Sequence, residues 1–117
     1  MAAVFTKLKL SGSTVGKQIK VVATSTPGTT IHATGTSATS IDEIWVYASN
    51  SDTTDRKLTL EWGGVTDPDD LIEVYIPPEA GLVPVALRLP LKNSLVVKAF
   101  ASVADVVLLT GGATRIA

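Results

Sequence analysis

The chain predicts an all-β fold, an antiparallel β-sandwich of about eight short strands with jelly-roll character, and three observations lead there. From residue 41 to 100 apolar and polar side chains alternate with period two, the repeat of a strand that rests one face on a core. Clusters of Gly, Pro, Asn, Asp and Ser recur at roughly ten-residue spacing, as in sandwiches and barrels. No stripe with i, i+3, i+4, i+7 spacing is sustained, and Pro77, Pro78, Pro84 and Pro90 interrupt the only helical windows. An immunoglobulin-like sandwich ranks second because it uses fewer strands.

Taken in order, Val4 to Leu10 reads as a first strand with Thr6, Leu8 and Leu10 on one side and Lys7 and Lys9 on the other, closed by a turn over 11–16. Gln18 to Ser25 follows, aligning Ile19, Val21 and Ala23, and Pro27-Gly28 reads as a turn with Pro second and Gly third. Residues 24–40 are dominated by Thr, Ser, Gly and Ala; Thr29 to Thr34 can extend, but the segment, like residues 1–3, also fits an arm or loop that orders on docking. Ile41 to Ser49 is the strongest strand, with Ile44, Val46 and Ala48 opposed by Glu43, Trp45 and Tyr47. After the polar loop SNSDTTD, Arg56 to Gly63 returns with Leu58, Leu60 and Trp62 opposed by Lys57, Thr59 and Glu61, which predicts an antiparallel hairpin between these two strands. Leu71 to Pro77 places Ile72, Val74 and Ile76 inward and Glu73 and Tyr75 outward. Leu82 to Leu89, Ser94 to Ala101 and Asp105 to Thr110 complete the strands, and Gly111 to Ala117 reads as a short tail.

At 117 residues one domain is expected, spanning 1–117, with a core of Val, Leu, Ile and Ala because aromatics make up only 5% of the composition. Ten basic residues nearly balance eleven acidic ones, so no positive field exists to attract phosphate backbones, and nucleic acid is not an expected partner. The chain has no cysteine, which removes disulfides and thiolate chemistry together. MAAVFTKLKL lacks the apolar run of a signal peptide, and no stretch is long and apolar enough to cross a bilayer as a helix; no membrane partner is expected.

Catalytic chemistry finds little to use. The one imidazole, His32, lies in the Thr/Gly-rich segment with no GxSxG elbow, and reads as a polar strand or loop residue. Glu43, Glu61, Glu73 and Glu79 could supply a glycosidase pair, but the first three fall at outward strand positions where solvated charges belong. Asp52 with Asp55, and Asp67 with Asp69 and Asp70, could gather a calcium ion, yet turn and solvation roles account for them and neither run has an EF-hand pattern. No P-loop accompanies Gly63-Gly64 or Gly111-Gly112. The expectation is a protein that is not an enzyme, with no cofactor and no metal.

The second parity of the strands carries more apolar surface than a lone sandwich needs. Trp45, Tyr47 and Tyr75 stand opposite the core set, and Leu71, Leu82, Val96 and Phe100 join them there. Trp45, Tyr47, Tyr75, Leu82 and Phe100 form the candidate interaction surface, suited to a second subunit; alternatively the domain's own arm covers it, or it stacks on sugar.

The runs DEIWVYASNSDTTDRKLTLEWGG, DPDDLIEVYIPPEAGLVPV and LVVKAFASVADVVLLTGGATRI, within residues 41–116, resemble small structural proteins of tailed double-stranded DNA bacteriophages. The resemblance implies a virion component, in first place a head decoration or cement protein: a jelly-roll module that forms a homotrimer on the outer capsid surface, binds the major capsid protein and is assembled in the host bacterial cytoplasm. A neck or tail component, or a carbohydrate-binding module using Trp45, Tyr47, Trp62 or Tyr75, are the alternatives. The resembling motifs assign no role to individual residues.

Overall fold

The computed structural model describes residues 3–117. Among them no helix forms, and nine strands build two antiparallel sheets: β1 (Phe5–Lys9), β2 (Ile19–Lys20), β3 (Thr29–Ala33), β4 (Ile41–Asn50), β5 (Arg56–Trp62), β6 (Leu71–Ile76), β7 (Val83–Leu91), β8 (Val96–Ala101) and β9 (Val107–Ile116). The five-stranded sheet runs β1-β9-β4-β7, with β2 also paired to β9; the four-stranded sheet runs β3-β8-β5-β6. The two residues Met1 and Ala2 of the expected N-terminal arm lie outside the described residues.

Period two determines the packing. On β4 burial alternates along the whole strand, so Ile44, Val46 and Ala48 are sealed while Trp45 and Tyr47 stay half-buried on the other face. Leu58 and Leu60 from β5, Val97, Ala99 and Ala101 from β8, and Val107, Leu109 and Ala113 from β9 meet them in one core between the sheets. Each sealed Leu, Ile or Val contributes about 1.5–3 kcal/mol relative to exposure. With no disulfide available, this burial carries the fold.

Three expectations fail, each for a physical reason. Strands β4 and β5 do not form a hairpin: β4 lies between β9 and β7 while β5 lies between β8 and β6, so the 51–55 connection crosses from one sheet to the other. The two strands face each other across the core, which satisfies the same apolar alternation that a hairpin would. The expected tail is the second half of β9, where Gly112 to Ile116 pair with β1 on one side and β4 on the other. The glycines permit this passage: a Cβ at Gly111 would run into the carbonyl oxygen of Trp45, and one at Gly112 would lie 2.9 Å from both the Leu8 carbonyl and the Trp45 ring. The indole thus occupies the place of the missing side chain.

The third concerns residues 24–40. Thr29 to Ala33 do extend, as β3, whose Ile31 and His32 are buried, and what fails is the turn before them. Pro27-Gly28 makes no hydrogen-bonded turn. The chain there is pinned by Glu61, which is 1% exposed rather than solvated: its Oε2 accepts from the Thr26 hydroxyl at 2.5 Å and its Oε1 from the Gly28 N–H at 2.6 Å. Charge-assisted bonds of this kind compensate the carboxylate for lost water.

Candidate interaction surface

Residues that oppose one another across an antiparallel ladder point to the same side, so the register assigns every outward side chain to a face. Trp45 and Tyr47 belong to the outer face of the five-stranded sheet, where they line a groove of about 470 Å³ with Lys7, Leu87, Arg88 and Thr114. Leu87 there is 56% exposed, next to Arg88, whose positive φ of 57° marks the irregularity that lets β7 turn both side chains outward. Phe100 and Tyr75 stand on the opposite side of the molecule, on the outer face of the four-stranded sheet. Phe100 opposes Thr59 and lines a hollow of about 220 Å³ with Thr24, Lys57, Leu71 and Glu73, while Tyr75 opposes Lys57 and is 65% exposed. Leu82, exposed, precedes β7 in the connection from β6. The five candidate residues therefore do not form one patch: two share one face, two share the other, and Leu82 lies at the edge between them.

The two open sides of the sandwich, missed in the sequence, differ in chemistry. On the side of β1 and β3, the core face of β4 begins with Asp42, 1% exposed, inside a cluster of polar partners. Arg115 of β9 grips it bidentately, Nε to Oδ1 at 2.8 Å and Nη2 to Oδ2 at 2.9 Å. His32 of β3 reaches across from the other sheet, Nε2 to Oδ2 at 2.8 Å. Its Nδ1 accepts the Ser11 N–H at 3.0 Å, which places a lone pair there and leaves Nε2–H to donate to Asp42. Burial favours the neutral acid and is the largest single influence on Asp42; the hydrogen bonds from Arg115 and His32, with the charge of Arg115, together outweigh it and hold the carboxyl below its ordinary range.

An Asp–His pair is two of the three members of a hydrolytic triad, but among the described residues no nucleophile hydrogen-bonds to this imidazole. Both ring nitrogens are committed inside the protein, and the Ser11 hydroxyl accepts from the Ala33 N–H instead of facing the imidazole. The arrangement ties β3, β4 and β9 together. At the other end of β4, buried Asn50 does a similar job: its Nδ2 donates to the carbonyls of Thr54 and Ile76, and its Oδ1 accepts from the Asp52 N–H.

The acidic loops serve themselves. Asp52 caps the Thr53 N–H at 2.7 Å and bonds Arg56, and these contacts, the backbone one first, lower its carboxyl. Asp70 accepts from the Thr66 N–H and leans over Gly64. Among the described residues no three carboxylate or imidazole groups gather as metal ligands would.

On the side of β6 and β7 the lining is apolar. Ile72 and Val74 of β6, and Val83, Val85, Leu89 and Leu91 of β7, pack against the core yet remain half-buried, unlike their sealed counterparts on β4, β5 and β8. No family model, curated protein or solved structure matches this chain.

Proposed function

We propose that this chain is a non-enzymatic structural protein of a tailed double-stranded DNA bacteriophage, a head decoration or cement protein. It forms a trimer on the outer capsid surface and bridges major capsid subunits. The observation that carries this reading is the group of apolar side chains on the outer face of the five-stranded sheet, set among Lys7, Glu43, Arg88 and Thr114. Besides Trp45, Tyr47 and Leu87, the register turns Phe5, Ile41, Leu108 and Ile116 to that side, and Phe5 is 68% exposed. Such a face gains free energy when a flat partner covers it, and copies that bind only the assembled shell stabilise it by mass action.

The connectivity supports the same reading. With β1 and β2 counted as one interrupted strand, the sheets run β1-β9-β4-β7 and β3-β8-β5-β6, and every connection except β5–β6 passes between sheets, which supports a jelly-roll reading of the sandwich. The resemblance of residues 41–116 to phage virion proteins points the same way.

A carbohydrate-binding role on the virion is the second reading. It is favoured by the Trp45 indole, which packs one side on Gly112 beside a groove bordered by Lys7, Arg88 and Thr114. Electron microscopy of heads incubated with the purified chain separates the cases. Added density at local three-fold positions outside the shell is the expected result; density at the portal vertex would assign a neck component, and no density together with a glycan-array signal would assign the sugar-binding role.

A further inference from the structure

We propose that the bare edge of the four-stranded sheet, strand β6, is a self-pairing surface that joins two copies of this chain about a two-fold axis at Val74. Edges of sheets expose unpaired backbone groups, and proteins normally blunt them. Three of the four edges here are blunted. On β3 the Ile31 carbonyl accepts from the Gly12 N–H and the Ala33 N–H donates to the Ser11 hydroxyl, so residues 11–12 cover it. On β7, Pro84 and Pro90 remove donors and two register shifts distort the ladder. The β1/β2 edge is broken into strands of five and two residues, with Lys7 and Lys9 on it. Strand β6, LIEVYI, has no proline and no irregularity, and its single charge, Glu73, is neutralised by Lys57 at 2.9 Å.

The register within the molecule determines which groups are free. The Trp62 N–H donates to the Asp70 carbonyl, so Asp70, Ile72, Val74 and Ile76 turn their backbone groups toward β5, and the alternate residues turn theirs outward. Leu71 spends its N–H on the Pro68 carbonyl, and Pro77 has none. Among the described residues the N–H and C=O groups of Glu73 and Tyr75 have no partner. In an antiparallel pair that continues the sheet without inverting it, outward residues must meet outward residues. A register centred on Tyr75 would set Glu73 against Pro77, which has no donor to complete the pair, and two others use the free groups. One sets Glu73 against Glu73, juxtaposing like charges, and asks Leu71 for an N–H that is already bonded. The other sets Glu73 against Tyr75 and Tyr75 against Glu73, forming four backbone hydrogen bonds. That register lays Val74 on Val74 and Ile72 on Ile76, covering Val74 and Ile72, which are half-buried in the single copy, while Ile76 is already sealed. It also brings the Tyr75 hydroxyl of one copy toward the Glu73–Lys57 pair of the other.

A six-residue edge buries less than the roughly 800 Å² per partner of a standard interface, so the free dimer is weak and concentration-dependent. On a shell, a local two-fold lies between neighbouring three-fold positions, and this contact would link adjacent trimers; the pairing itself does not depend on that role.

The absence of cysteine makes the test direct. Val74→Cys places a thiol on the axis, at a non-hydrogen-bonded pair where a disulfide fits, and mild oxidation is expected to yield a covalent dimer, twice the 12.2 kDa chain. Glu73→Cys is expected not to cross-link to itself. Adding Glu73→Pro to Val74→Cys removes two intermolecular donors and none toward β5, and should slow cross-linking about tenfold. Cross-linking by Glu73→Cys in preference to Val74→Cys overturns the register; cross-linking by neither, or at an unchanged rate in the double variant, overturns the pairing. In the unaltered chain, the Glu73 and Tyr75 amides should exchange more slowly as concentration rises, and exchange independent of concentration overturns the pairing without any substitution.

Discussion

The two open sides of this sandwich solve the same problem in opposite ways. Where β1 meets β3, the gap is closed from within by ionic and hydrogen-bonded groups: Arg115, Asp42 and His32 span the sheets, and residues 11–12 cover the β3 edge. Where β6 meets β7, no ion pair crosses among the described residues, and the polar links between the sheets are single bonds to carbonyls, from Asn50 to Ile76 and from Trp62 to Pro90. Six apolar side chains on these strands stay half-buried, and β6 keeps free backbone groups. A charged cluster can be completed by three residues of one chain, whereas a bare strand edge and a greasy slot are completed only by more surface. The first side therefore reads as built for cohesion and the second for contact.

The largest expected effect breaks the cohesive side. Asp42→Ala leaves a buried histidine donor and the Arg115 guanidinium unpaired, and should cost about 3 kcal/mol in urea unfolding, near the lower end for a buried pair because Arg115 reaches solvent. A loss below about 1 kcal/mol would show that the cluster is incidental. Comparable in size, Leu60→Ala in the sealed core should cost about 3 kcal/mol, while Ile72→Ala on β6 should cost about 1 kcal/mol because its site is already open. Equal costs would erase the distinction between sealed core and open side. Glu61→Gln weakens the anchor of residues 26–28 and should cost about 1–2 kcal/mol, with amide exchange rising first at Gly28.

The acid limb sharpens the comparison. The Asp42 carboxyl is held below its ordinary range when folded, so its contribution is fully present above the unfolded value of about 3.9 and is lost as pH falls through the folded one. The β1–β3 side should therefore loosen before the β6–β7 side on acidification. Asp42→Asn should flatten the dependence of stability on pH below about pH 4, and a variant with an unchanged slope would move the titration elsewhere. The smallest effect on stability should come from Leu87→Ser on the outer face, within about 0.5 kcal/mol, accompanied by weaker binding to phage heads in a pelleting assay. Undiminished binding would remove that face from the proposed contact.

The strands themselves were legible because alternation is a local signal: Ile44, Val46 and Ala48 identify the core face of β4 without any partner in view. Glu61 was not legible, since nothing in KLTLEW indicates that residues 26–28 fold across it. Asp42 carries a local sign, its inward parity with Ile44, but nothing near it in sequence points to His32 and Arg115 as its partners. Gly111-Gly112 misled because glycine pairs usually end strands, and only the close approach of β4 requires them here. The candidate residues lie off the core, and their division between two opposite faces needed the sheet order.

By itself, then, the sequence determined that this is a strand protein with a Val, Leu and Ile core and surplus apolar side chains, because side-chain alternation and composition are properties of short segments. Which strands pair, which carboxylates are buried and which edge stays bare were decided only in three dimensions. Those properties depend on residues as far apart as His32, Asp42 and Arg115 meeting across two sheets, and no local pattern encodes such a meeting.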